Sequence, residues 1–187
     1  MNKKAKMLFF DVILTFILLG LDQITKYYAI IKLKGNSAFV IIKDVLEFNY
    51  LENRGSAFGM LQNQKVFILF VGIVFMAVVL YFLFKLPDDK KFTCVHICLT
   101  GIIAGGIGNM IDRIRFDFVV DFISFVLIHF PIFNVADCYI VVSVIVLFIM
   151  FVFVYKEQDL SFLEFKQNKF REMKYSIMYF SKMGIRT

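Results

Sequence analysis

The chain has 187 residues, 60% of them hydrophobic, and a formal net charge of +6. A mean hydropathy of +0.76 means more apolar surface than one soluble core of this size can hide, which excludes an ordinary soluble domain and points to a membrane protein. The basic excess suits anionic lipid headgroups, and with no DNA- or RNA-binding pattern beside it, no nucleic-acid partner is expected.

The first apolar run covers about residues 7–31, and a helix needs about 20 residues to cross the hydrocarbon core. It follows Lys3, Lys4 and Lys6 as a secretory leader would, but no small-residue cleavage site comes after it. Asp11, Asp22 and Lys26 interrupt it, so a retained transmembrane helix is expected. At 100° per residue Asp11, Thr15, Asp22 and Lys26 share one face. Asp22 and Lys26 stand four apart in the favourable acid-before-base order. Because a charge at mid-bilayer costs roughly 2.5–3.5 kcal/mol on insertion scales, this face should point into a bundle, with Asp22 and Lys26 as a structural pair.

Residues 33–65 are too long for a simple connector. Within them Leu46, Phe48 and Tyr50 alternate with Glu47 and Asn49, the period of a half-buried strand, and NRGSAFG follows with turn chemistry. A small sheet at the membrane surface is expected. Spans at about 66–84 and 94–112 come next. On the latter, Gly101 and Gly105, and Ala104 and Gly108, form small-residue steps that admit a neighbouring backbone. Asn109, Asp112 and Arg113 end it together at i, i+3 and i+4, and Arg113 is expected to pair with Asp112 or reach a lipid phosphate. Cys94, Cys98 and Cys138 lack C-x-x-C spacing and read as apolar filler. His96 and His129 are isolated from the acids, so no metal is expected.

Residues 113–137 contain VVDFISFVLIHF, too short and interrupted to cross. This segment should re-enter the membrane or lie along its interface. Pro131 and Asn134 mark the start of the last span, 138–155, with Asp137 in its opening turn. Two parts follow: a membrane domain, 1–155, and a basic tail, 156–187. In the tail Phe170, Met173, Ile177 and Phe180 recur beside Lys169, Arg171 and Lys174, the pattern of either an amphipathic helix on the inner leaflet or a solvated segment. Four crossings put both termini on one side. Lysines and arginines concentrate in the N-terminal tail, the 85–91 turn and the C-terminal tail, so both termini should be cytoplasmic.

Asp121 lies among Val119, Val120, Phe122 and Ile123, and Asp137 among Val135, Ala136, Cys138 and Tyr139. Such desolvated acids favour a proton. Two brought together share one, leaving a carboxylate to deprotonate water while its partner polarises a carbonyl. That is the apparatus of an aspartic peptidase, and no G-x-S-x-G or zinc-ligand pattern competes with it. A proton-coupled transporter relaying through Asp22, Asp112, Asp121 and Asp137 is the alternative; a structural assembly subunit would leave the acids without a task. A relay spreads its acids through the bilayer, a peptidase gathers them at one face, and Asp112, Asp121 and Asp137 all fall at the extracytoplasmic boundary.

Over about residues 7–155 the chain resembles the bacterial lipoprotein signal peptidase (signal peptidase II) family. LDQITKYYA carries its first motif through Asp22 and Lys26. ENRGSAFGM carries the N-x-G-x-A-F motif through Asn53, Gly55, Ala57 and Phe58. GGIGNMIDR supplies Gly108, Asn109, Asp112 and Arg113; VVDFI supplies Asp121; and FNVAD supplies Asn134, Ala136 and Asp137. The resemblance implies an all-α membrane protein with four transmembrane helices and a small extracytoplasmic β-cradle. It implies Asp121 and Asp137 as catalytic acids, with Asn53, Gly55, Asn109, Asp112, Arg113, Asn134 and Ala136 binding substrate or supporting the site. It further implies a diacylglyceryl-modified prolipoprotein substrate cut just before its lipid-bearing cysteine, membrane phospholipid as surroundings, a bacterial cytoplasmic membrane location, and no metal or organic cofactor. The chain departs from the pattern at Asp117, where the family usually has glycine, and in lacking tryptophan, with Phe130 in an apolar place before FNVAD.

Overall fold

The computed structural model describes residues 3–56 and 60–163. Among these, four helices are long and apolar enough to cross a membrane. They are α1 (Lys3–Leu33), α2 (Lys65–Lys85), α3 (Thr93–Phe116) and α4 (Val135–Ile149), the last extended by a π-helical turn over Met150–Val154. The helices outrun the apolar stretches because their ends tolerate charge. Lys32, Lys85, Arg113 and Arg115 occupy final turns, where cations offset the carbonyl end of the helix dipole.

The small residues make α3 the central helix, packed against α1, α2 and α4. A Cβ added at Gly105 would sit 2.5 Å from the Ala136 carbonyl oxygen on α4, and one at Gly108 would sit 2.5 Å from Asp22 Oδ2 on α1. Only glycine allows these approaches. Away from the sheet, Val79, Leu83, Phe92, Val95, Leu99 and Tyr155 form an apolar cluster. Phe16, Phe70, Val142, Phe148 and Phe153 point outward and exposed, unfavourable in water but suited to acyl chains. His96, which looks isolated from the acids in sequence, meets Asp11 at 2.8 Å because α1 and α3 both begin at this end.

The expected surface sheet is present and has three antiparallel strands in the order β1 (Phe39–Ile42), β2 (Leu46–Asn53) and β3 (Val119–Phe125). The third strand lies where an interfacial or re-entrant segment is expected. Its apolar run does not alternate because Val119 to Phe122 are buried on both faces. Helix α3 turns into it through Asp117, in the left-handed conformation at φ 66°. Glycine adopts that conformation without steric penalty, which explains the family's preference at this position. Ala57 and Phe58, and the tail pattern Phe170 to Phe180, lie outside the described residues.

Candidate active site

The sheet register decides which side chains reach Asp121. Phe48 pairs with Ile123, but after a bulge Leu51 pairs with Asp121 and Asn53 with Val119. The additional residue on β2 switches its faces. Asn53, which unbroken pairing would put on the opposite side, therefore shares a face with Asp121 and donates from Nδ2 to Asp121 Oδ2 at 2.9 Å. Gly55 N donates to Asn53 Oδ1 at 3.0 Å, so the amide of Asn53 is held in that sense.

The chain before α4 docks on the same strand. Phe133 and Ile123 exchange backbone hydrogen bonds at 2.8 and 3.0 Å, which delivers Asn134 beside Asp121. Asn134 caps α4, accepting from Asp137 N at 3.0 Å while Asp137 Oδ2 accepts from Asn134 N at 3.2 Å. Its remaining amide hydrogens go to Asp121 Oδ1 at 2.6 Å and Asn109 Oδ1 at 3.2 Å. Asn109 Nδ2 donates to Asp137 Oδ1 at 2.8 Å. Two aspartates sixteen positions apart are thus joined through one asparagine and steadied by two others. Capping is one part of Asn134's role here, and bridging the acids is the other.

Below this pair lies a second buried layer. Lys26 Nζ stands 3.0 Å from Asp22 Oδ2, 3.1 Å from Asp112 Oδ2 and 2.9 Å from Asn109 Oδ1. Asp22 Oδ1 accepts from Ala136 N at 3.0 Å, and Asp112 accepts from Val120 N at 3.2 Å and Gln23 Nε2 at 3.0 Å. These bonds tie α1 to α3, β3 and the start of α4. Sequence spacing shows the Asp22–Lys26 pair, but the contacts of Lys26 with Asp112 and Asn109 and the part played by Gln23 arise only from packing. Because the amine fixes Asn109 Oδ1 as an acceptor, Asn109 Nδ2 must face Asp137.

Arg113 does not pair with Asp112. It donates to the Gly55 carbonyl at 2.7 Å and the Asn109 carbonyl at 3.3 Å, because Asp112 points to the opposite side of α3, toward Lys26. Asp117 is exposed and pairs with Lys65, away from the two acids; that contact keeps its carboxyl below the usual carboxylate range.

Asp121 is buried, and desolvation, followed by the nearby Asp137 carboxylate, raises its pKa to about 7. Hydrogen bonds from Asn53 and Asn134 and the charge of Lys26 oppose that rise. Among the described residues no group of three or more His, Cys, Asp or Glu is arranged to hold a metal ion.

Four membrane-length helices closed at one end by a small sheet, with two acids held by amides at the junction, define a polytopic membrane enzyme. Residues 14–153 match the family model described as Signal peptidase (SPase) II. The chain is 43% identical over 134 residues to the lipoprotein signal peptidase of Caldanaerobacter subterraneus subsp. tengcongensis, covering 71% of this chain and 89% of that one. It is 41% identical to that of Clostridium tetani, covering 71% and 85%, and 38% identical to that of Streptococcus thermophilus, covering 76% and 90%. A bacterial membrane enzyme structure determined by the in meso method at 2.3 Å resolution superposes with a TM-score of 0.68 at 28% identity, covering 79% of this chain and 92% of that one. The chain belongs to the signal peptidase II family, and it is a protease.

Proposed function

We propose that Asp121 and Asp137 are the catalytic acids of an endopeptidase that removes the signal peptide from diacylglyceryl-modified prolipoproteins. The observation that carries this reading is the shared contact: Asn134 touches both carboxyls, on different oxygens. The raised pKa of Asp121 favours its acid form, which leaves Asp137, in the first turn of α4, the role of base. Asp137 takes a proton from water, the hydroxyl oxygen attacks the scissile carbonyl, and Asp121 gives its proton to the carbonyl oxygen. The tetrahedral diol collapses as the proton held by Asp137 passes to the departing amine, and a diol proton returns to Asp121. Atoms and charge balance with water and two carboxyls alone.

The lipid on the substrate cysteine gives a physical reason for this placement. It anchors the scissile bond at the leaflet surface, where a site between helices is reached by lateral diffusion. Lys3, Lys4, Lys6, Lys90 and Lys91 lie at the helix ends opposite the sheet, which favours cytoplasmic termini and an extracytoplasmic active site. A relay through the bilayer is disfavoured because Asp11, the next buried acid toward the other surface, lies three turns of α1, roughly 16 Å, from Asp22.

Asp121→Asn and Asp137→Asn, each assayed on a lipid-modified prolipoprotein in detergent, should lose turnover by at least about 1000-fold. Wild-type turnover in either, with normal expression, refutes the assignment.

A further inference from the structure

An open cavity of about 630 Å³ lies between the last turns of α1 and strands β1 to β3. Tyr28, Phe39, Phe48 and Phe122 line its walls, and Lys32 and Ser37 stand at its rim. Thr25 also faces it, with its hydroxyl donated to the Asp22 carbonyl at 2.8 Å.

We propose that this cavity holds an acyl chain of an anionic phospholipid, with the lipid phosphate at Lys32 and Ser37. Three observations select that occupant. The lining is apolar and of a size that takes a small ligand or a chain. Lys32 makes no ion pair among the described residues, whereas Lys34 two positions on is matched to Glu52. A lone cation at the mouth of an apolar slot complements an amphiphile with a negative head and an apolar tail. Finally, the surroundings are apolar and exposed. Phe39, Val40, Ile41 and Ile42 of β1 are exposed on both faces of the strand, and Tyr27, Tyr28 and Ile31 continue that exposed surface down α1, with tyrosines at the depth where interfacial aromatics gather.

The lining includes neither of the two acids nor any of the asparagines that hold them. Successive residues of a strand face opposite ways, so Asp121 points to the catalytic side and Phe122 into the cavity. The substrate's glyceride sits on the cysteine beside the scissile bond and belongs on the side of Asp121. The two sites share β3: Phe122, packed edge-to-face on Phe48 at 5.8 Å, adjoins Asp121 in the chain. A lipid chain in the cavity backs the strand that carries Asp121.

The test uses the full-length protein purified in detergent, stripped of lipid and titrated with dioleoyl phosphatidylglycerol or dioleoyl phosphatidylcholine, with bound lipid counted by native mass spectrometry. One phosphatidylglycerol should be held in preference to phosphatidylcholine. Ala38→Trp, which fills the cavity, and Lys32→Glu, which reverses the rim charge, should each weaken that binding by about tenfold or more. Phe70→Trp on the outward face of α2 should not. Phosphatidylglycerol should also slow amide hydrogen exchange along β3 in wild type and not in Ala38→Trp. Equal binding by wild type and both cavity variants means annular lipid only and overturns the proposal. Displacement of the bound lipid by a diacylglyceryl-cysteine peptide overturns it in favour of a substrate subsite. Asp121→Asn should bind the lipid as wild type does, so failure of the catalytic assignment and failure of the lipid site are read separately.

Discussion

Asn134 Nδ2 lies 2.6 Å from Asp121 Oδ1, while the same residue's Oδ1 accepts from Asp137 N at 3.0 Å. One side chain therefore caps a membrane helix and orients an acid on a strand, and the two roles can be separated. Asn134→Ser keeps an acceptor for the cap but removes both amide hydrogens. It should unfold within about 1 kcal/mol of wild type yet lose roughly 100-fold or more in turnover. Asn134→Ala should lose both, with thermal unfolding in detergent and prolipoprotein cleavage as the paired measurements.

The pKa of Asp121 sets a pH dependence. Its folded value of about 7 is above the 3.8 of an ordinary aspartate because of burial and then Asp137. The folded protein thus binds this proton more tightly than the unfolded chain does. The resulting stability is fully present below about pH 4 and is lost as pH rises through about 7. Turnover requiring the protonated acid should fall over the upper part of the same range. Unfolding midpoints measured from pH 5 to 8 should decline less in Asp121→Asn than in wild type, and the wild-type kcat/KM profile should show the alkaline limb.

Lys26 is buried with Asp22, Asp112 and Asn109 around its amine. Lys26→Met leaves two buried carboxylates without their cation and should cost about 3–5 kcal/mol. Adding Asp112→Asn removes one of those charges and should restore part of the stability. Turnover should stay low in the double variant, because Asn109 still lacks the amine that directs its Nδ2 to Asp137. Unfolding midpoints and cleavage rates of the two variants, compared below their midpoints, check this.

Helix contacts at glycine should be position-specific. Gly108→Ala would push a methyl to 2.5 Å from Asp22 Oδ2 and should destabilise by about 1–3 kcal/mol. Gly20→Ala meets nothing within 4 Å and should be neutral or stabilising by up to about 1 kcal/mol, since alanine is the better helix former. Thermal unfolding of the two variants in one detergent distinguishes them.

Asp117 holds a left-handed conformation at φ 66° and contributes only an exposed pair with Lys65. Asp117→Gly relieves the backbone strain at little electrostatic loss and should stabilise by up to about 1 kcal/mol. Cleavage activity should be unchanged, because the side chain points away from both acids.

By itself the sequence determined what local chemistry determines: four apolar runs, a strand in the loop after the first, the Asp22–Lys26 pair at one helical turn, and glycine spacing that admits a close neighbour. The motifs also carried the family resemblance and named the acids. Only the tertiary structure decided how those groups meet. Val119–Phe125 became a strand by pairing with β2, and burial of Val119–Phe122 on both faces erases the alternation that would reveal it. The β2 bulge put Asn53 on the face of Asp121, and helix packing set Arg113 on the Gly55 carbonyl rather than on Asp112. The Asp11–His96 contact and the double duty of Asn134 likewise join residues from separate elements. Periodicity and capping are written in a few neighbouring residues, whereas register, facing and long-range polar contacts depend on how whole helices and strands come together.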